Sequence, residues 1–312
     1  MRTLITTSTL VLALIFGLSA QSPQPLTRSD YGQWESLSFG GARAFSPDGA
    51  WLAYGISRAN RNNELRFRKV ADGTEKVVAF GSTTTFSSDS RWVAYSIGYP
   101  EAEQERMRTA NQPIQNKLGL LDLQKGETLT VDGIQSFSFS GDGKYLAMRR
   151  YAPAPAGGRG AAPPAGRGGG PGGAAGADDV PVGVTLIVRD LASGRDTTFG
   201  NVSEYAWQDS DTGQLLAIAI SADGRSGNGV QLYDPATTVL KVLDSAATTY
   251  SSIVWREDSR DLAVLKAKPD DTRDGPTQIV LAWREAGGAA EKRLEFDPTA
   301  SGASFPANMR TV

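Results

Sequence analysis

The residues of most regular chemical type in this sequence are aspartates. Asp48, Asp89, Asp142 and Asp258 each stand three residues after an aromatic side chain, Phe45, Phe86, Phe139 and Trp255 in turn. A fifth segment, Trp207 to Asp211, carries a looser version. Recurring carboxylates can act as a general acid and base pair, or as oxygen ligands for calcium. The same residues also suit a structural task. In Phe45-Ser46-Pro47-Asp48-Gly49 the proline presets φ, the aspartate bonds back to its own backbone, and Gly49 accepts a left-handed φ. Turn formation is therefore the role read for the whole set, Gly143 included, and no catalytic, cofactor-binding or metal-ligating residue is assigned. An enzyme that used these carboxylates would need them to converge on one site.

Other chemistries are excluded by composition. The chain has no histidine, so a Ser-His-Asp triad or a His-ligated zinc cannot be assembled from it. It has no cysteine, which removes disulfides and thiolate sites. A net charge of −2 gives no basic surface for nucleic acid. No cofactor is expected.

The elements that hold the aspartates come next. Each turn leads into a short apolar strand: Trp51-Leu52-Ala53-Tyr54, Trp92-Val93-Ala94-Tyr95, Tyr145-Leu146-Ala147-Met148, Leu215-Leu216-Ala217-Ile218 and Asp261-Leu262-Ala263-Val264. A small Ala between larger neighbours fits a strand packed closely against another sheet. Each copy is followed by a second hairpin, with turns at Asp72-Gly73, Lys125-Gly126, Ser193-Gly194, near Pro235, and at Gly287-Gly288. The repeat is thus a four-stranded antiparallel unit. Such units cannot bury both faces alone but do so when stacked radially. The predicted fold is an all-β propeller with five recognisable blades over 41–297, incomplete as a ring.

Residues 1–20 read as a signal peptide: Arg2, the apolar run Leu10 to Leu18, then Ser19-Ala20. The product is expected to be exported, periplasmic or extracellular, with no membrane association after cleavage. Residues 21–40 read as a lead-in, where the spacing of Tyr31, Trp34 and Leu37 suggests a helical turn, with Tyr31 and Trp34 packed on the first sheet. Two inserts, 97–117 and 151–182, fall between the second and third strands of their blades and should share one rim. In the first, Glu101 to Arg108 has helical composition, read as a solvated face. In the second, 152–179 is Ala, Gly and Pro except for Arg159, Arg167, Asp178 and Asp179, and is expected to be disordered. Residues 298–312 read as the start of a further blade, cut short.

The aromatic-Ser-Pro-Asp-Gly…Leu-Ala-Tyr units resemble those of TolB-type propellers and of the N-terminal propeller of prolyl oligopeptidase family serine peptidases. Leu26-Thr27, Asp30 to Leu37 and the tail Phe305 to Arg310 resemble exported bacterial members of the latter. That resemblance implies a gating propeller that admits peptide substrates to a C-terminal α/β-hydrolase domain bearing the triad. The chain has no Gly-x-Ser-x-Gly elbow, so no catalytic residue carries over and that hydrolase partner is absent here. The alternative is a stand-alone TolB-like periplasmic propeller that binds a protein partner.

Overall fold

The computed structural model describes residues 27, 34–38, 44–153, 183–269 and 277–300. The segments read as signal peptide, disordered insert (152–179, save Ala152 and Pro153) and tail (301–312) lie outside the described residues.

Among the described residues nineteen strands follow one another with hardly any helix. They are β1 (Glu35–Ser38), β2 (Trp51–Arg58), β3 (Glu64–Lys69), β4 (Glu75–Ala79), β5 (Gly81–Phe86), β6 (Trp92–Ile97), β7 (Lys117–Asp122), β8 (Thr128–Val131), β9 (Ile134–Phe139), β10 (Tyr145–Arg150), β11 (Val184–Asp190), β12 (Asp196–Trp207), β13 (Leu216–Ile220), β14 (Gly229–Asp234), β15 (Val239–Ser245), β16 (Tyr250–Trp255), β17 (Leu262–Lys268), β18 (Thr277–Arg284) and β19 (Lys292–Phe296). Each pairs antiparallel with its neighbour in sequence inside the sheets β1–β4, β5–β8, β9–β15 and β16–β19. This is an all-β propeller of antiparallel blades.

The seven-stranded sheet is two blades joined through one strand. β12 pairs with β11 from Asp196 to Val202 and with β13 from Val202 to Trp207, so that Val202 is shared. Asn201, at φ 56°, lies at the break in register just before that shared residue. The other blade boundaries break the chain instead, as at Phe80 (φ 57°) between β4 and β5.

The lead-in differs from its expectation. Leu37 lies in β1, whose residues pair with Gly55–Arg58 of β2. The three-residue spacing of aromatics there is overridden by an available sheet edge. Phe45 also pairs with Leu52 of β2 as an isolated bridge. Trp34 is 56% exposed, and Tyr31 lies outside the described residues.

Four apolar clusters join successive blades. Ala53, Leu65 and Phe67 of the first blade meet Phe86, Val93 and Tyr95 of the second. Ala94, Leu118 and Leu120 meet Ile134, Leu146 and Met148 of the third. Ala147, Leu186 and Val188 meet Val202, Leu216 and Ile218 of the fourth. Ala217, Val230 and Leu232 meet Trp255, Leu262 and Val264 of the fifth. In the first four blades the repeat alanine faces the following blade, and in the second to fifth blades the large residues on either side of it face the preceding one. The small side chain leaves room for the neighbour's aromatic and branched residues.

Candidate functional site

The repeat aspartates sit in first-to-second strand turns, and the carboxylates of Asp48, Asp89 and Asp142 are consumed there. In the first turn the Ser46 hydroxyl donates to Asp48 Oδ1 at 2.6 Å, and the Ala50 N–H donates to the same oxygen at 3.0 Å. The Trp51 N–H donates to Ser46 Oγ at 2.9 Å. Asp89 repeats this with Ser87 at 2.5 Å and the Arg91 amide at 3.1 Å. Asp142 repeats it with Ser140 at 2.7 Å and the Lys144 amide at 3.2 Å. The serines are buried, so each hydroxyl needs these partners. The Ser46 hydroxyl bond, with the Ala50 amide, holds the Asp48 carboxyl below its usual range, which suits a fixed acceptor rather than a proton carrier at neutral pH.

The left-handed residue is Gly49 (φ 71°), Ser90 (φ 57°) or Gly143 (φ 71°) in these three turns. In the fifth turn Asp258 itself takes the left-handed φ, 49°, and Ser259 bonds to the Arg256 carbonyl. In the fourth, Gly213 closes the turn onto Ser210 and Asp211 is exposed.

The turns are also tied to one another. The Asp48 N–H donates to Ser90 Oγ at 3.0 Å, and Ser88 Oγ donates to the Gly141 carbonyl at 2.7 Å. The Asp142 N–H reaches Gly213 O at 3.2 Å, and the Asp258 N–H reaches Asp209 O at 2.8 Å. The anchors bridge blades too: Trp207 Nε1–H donates to Ser138 O and Trp255 Nε1–H to Ala206 O. The motif read from sequence is thus a chain of blade-to-blade clasps. Its carboxylates are strung from turn to turn, and among the described residues no three acidic side chains form a metal cage.

Antiparallel connectivity puts the second-to-third strand loops at the opposite end of each blade. The insert of the second blade carries helix α1 (Glu101–Thr109), which buries none of its residues. Its acidic side chains are held by cations: Glu103 by Arg106 at 3.1 Å, Glu105 by Arg108 at 3.4 Å, and Glu101 by Arg61 of the first blade. Beside it lies an open cleft of about 390 Å³ lined by Arg61, Asn63, Phe80, Tyr99, Gln104 and Arg108 among others. The Gln104 amide is fixed by the Tyr99 carbonyl at 2.8 Å. The polar lining with one aromatic wall suits a peptide segment. The insert length was the sequence signal for this rim; the cleft itself was not visible, because Arg61 and Phe80 come from another part of the repeat.

A second group lay outside the sequence reading. Glu204 of β12 accepts the amides of Ser252 and Ile253, both at 2.8 Å, where Ser252 (φ 57°) bulges β16. Burial raises the Glu204 carboxyl above the usual range, and burial likewise lowers Arg149. Arg149 Nε is buried without a hydrogen-bond partner. With both oxygens occupied, Glu204 clasps the fourth blade to the fifth. Nothing repeats at these positions, so no pattern announced them.

Neither a family profile nor a curated protein sequence matches this chain. Solved structures do. One is from a study of two prolyl endopeptidases, 18% identical at TM-score 0.43, over 85% of this chain and 37% of that one. Another is the β-propeller domain of the Trilobed protease from Pyrococcus furiosus, 10% identical at TM-score 0.41, over 82% of this chain and 71% of that one. A third is TolB from Acinetobacter baumannii, 16% identical at TM-score 0.33, over 81% and 53%. The chain spans little more than a third of the prolyl endopeptidase it matches.

Proposed function

We propose that this propeller is the non-catalytic, substrate-gating domain of an exported serine peptidase of the prolyl oligopeptidase family, and that peptide hydrolysis is carried by an α/β-hydrolase domain outside this sequence. The observation that carries the reading is the division of the two ends. At one end the Ser-Asp pairs of the repeat are spent on building the turns, and the turns are tied blade to blade by the Asp48 N–H to Ser90 and by Ser88 to Gly141. At the other end the insert of the second blade carries helix α1, flanked by a peptide-sized cleft. The repeat motif and the lead-in and tail segments, which resemble exported members of that family, support the same assignment.

The test is to isolate the native protein from its source with an antibody raised against this propeller and to treat it with a fluorophosphonate that labels activated serines. The expected result is a polypeptide longer than this chain, labelled outside the propeller. A native product that ends at Val312 and takes no label overturns the proposal.

A further inference from the structure

From the second blade on, one residue of the third strand pairs with the residue just before the repeat alanine and lies on the face turned to the preceding blade. It is Leu121 in the second blade, Tyr233 in the fourth and Trp283 in the fifth. All three are buried, at 1%, 3% and 1% exposure, within the apolar clusters of their seams. In the third blade that position is Arg189, opposite Leu146. Its guanidinium is drawn onto Asp196 of the same blade, with Nε and Nη2 donating to the two carboxylate oxygens at 2.7 and 2.6 Å. The apolar cluster between the second and third blades is built without it. The seam is left with an open hollow of about 510 Å³, whose apolar lining is Trp92, Leu120, Leu129 and Leu191.

We propose that this hollow binds a small molecule made of an apolar ring and a protonated amine. The ring follows from the other seams, where a leucine, tyrosine or tryptophan of the protein itself occupies the matching place. A ring set on Trp92 and the three leucines recovers that apolar burial. The amine follows from the charges. Asp122 has a side chain only 2% exposed and is fully engaged. Its Oδ1 accepts the Gln124 and Lys125 amides at 2.9 and 3.0 Å, and its Oδ2 meets Arg91 at 3.2 Å. Arg91 in turn lies over the Trp92 ring, 5.1 Å from its centroid. Arg189 is engaged by Asp196. Lys76, which reaches β8 from the first blade, donates to the Gly126 carbonyl and to Thr128 Oγ1. That leaves Glu127, exposed beside the hollow and without an ion pair among the described residues. A carboxylate at the edge of an apolar recess favours a ligand whose cation stays in water while its ring enters. The hollow lies at the end of the blades that holds the third-to-fourth strand turns, away from the cleft beside α1. It does not depend on the gating role.

The test uses the full chain and two probes that share a ring and a two-carbon linker, phenethylamine and 3-phenylpropionate. Each is titrated at neutral pH against the indole N–H NMR signals of the six tryptophans, with Trp92→Phe assigning the Trp92 signal. Phenethylamine at millimolar concentration should shift that signal, and 3-phenylpropionate should bind at least threefold more weakly. Glu127→Gln should remove the preference. Arg189→Tyr gives this seam the side chain that the fourth blade carries, so it should abolish the shift and raise the melting temperature. If Arg189→Tyr disturbs the fold, Leu129→Phe narrows the hollow from the opposite wall and should weaken binding at least threefold. Three outcomes overturn the inference: no shift of Trp92 with either probe, equal affinity for amine and carboxylate, or undiminished binding in both the Arg189→Tyr and the Leu129→Phe chains.

Discussion

The Trp255 indole N–H donates a hydrogen bond to the Ala206 carbonyl oxygen at 3.0 Å. The two residues belong to the first strands of adjacent blades, and Trp207 repeats the relationship with Ser138 at 3.1 Å. The anchor aromatic therefore does two things at once. Its ring fills the space above the preceding blade's alanine, and its one polar atom finds a backbone acceptor that would otherwise face the ring.

Trp255→Phe should therefore destabilise the protein beyond the loss of ring area. Removing the donor strips one partner from a carbonyl in a mostly buried seam, a loss of about 1–3 kcal/mol. Trp207→Phe should behave alike. Urea denaturation followed by circular dichroism reads this directly. A midpoint unchanged by Trp255→Phe would show that the bond contributes nothing.

Ser87→Ala should cost more than Asp89→Asn. Ser87 is fully buried, donates to Asp89 and accepts the Trp92 N–H at 2.9 Å, so its loss unpairs a buried amide. A loss of about 1–3 kcal/mol follows. Asn at 89 keeps an acceptor oxygen for the hydroxyl and the Arg91 amide, and the change should stay under about 1 kcal/mol. Reversal of that order in thermal melts would make the aspartate, and not the serine, the centre of the turn.

These turns were legible in the sequence because they are local. Aromatic, Ser, Asp and strand lie within ten residues, and the hydrogen bonds close inside that window. The insert positions and helix α1 were legible for the same reason. What was not legible depends on stacking. Nothing in Asp196 to Trp207 distinguishes one strand shared by two blades from two separate strands, because the switch at Asn201 is made by partners far along the chain. Leu37 was misread because its spacing from Trp34 and Tyr31 competes with an edge that only β2 creates. Glu204 gave no signal, since a lone carboxylate in a strand is usually solvated and its two amide partners lie in another blade.

Gly119→Ala should be one of the most damaging single-methyl changes in the second blade. Gly119 is the register partner of Tyr95, and a Cβ at 119 would fall 2.3 Å from the Tyr95 ring. Tyr95 is 1% exposed and packs on Phe67 at 5.2 Å between centroids, so the ring has nowhere to retreat. Overpacking of this kind costs about 1–3 kcal/mol. Tyr95→Phe combined with Gly119→Ala should not relieve it, because the clash is with ring carbons as well as the hydroxyl. Recovery of the melting temperature by Tyr95→Leu in the Gly119→Ala background would confirm the steric cause; no recovery would point to the backbone instead.

The ion-pair network of the first blade sets a pH dependence. Glu64 is gripped by Arg58 at 2.7 Å and by Arg66 at 2.8 Å. Their hydrogen bonds, that of Arg58 foremost, bring its carboxyl down to about 2 from an ordinary value of 4.5. A folded-state value below the unfolded one means that folding favours the ionised form. The stabilisation is then complete above the unfolded value and is lost as pH falls from 4.5 towards 2. Glu64→Gln should accordingly melt at a lower temperature than the parent at neutral pH, by an amount that holds steady down to about pH 5 and then closes. Added salt should shrink the gap, because the network is partly open to solvent. Melting curves of the two proteins from pH 7 to pH 2 give the answer. A gap that persists unchanged to pH 2 would mean that Glu64 acts through packing of its side chain and that its charge contributes nothing.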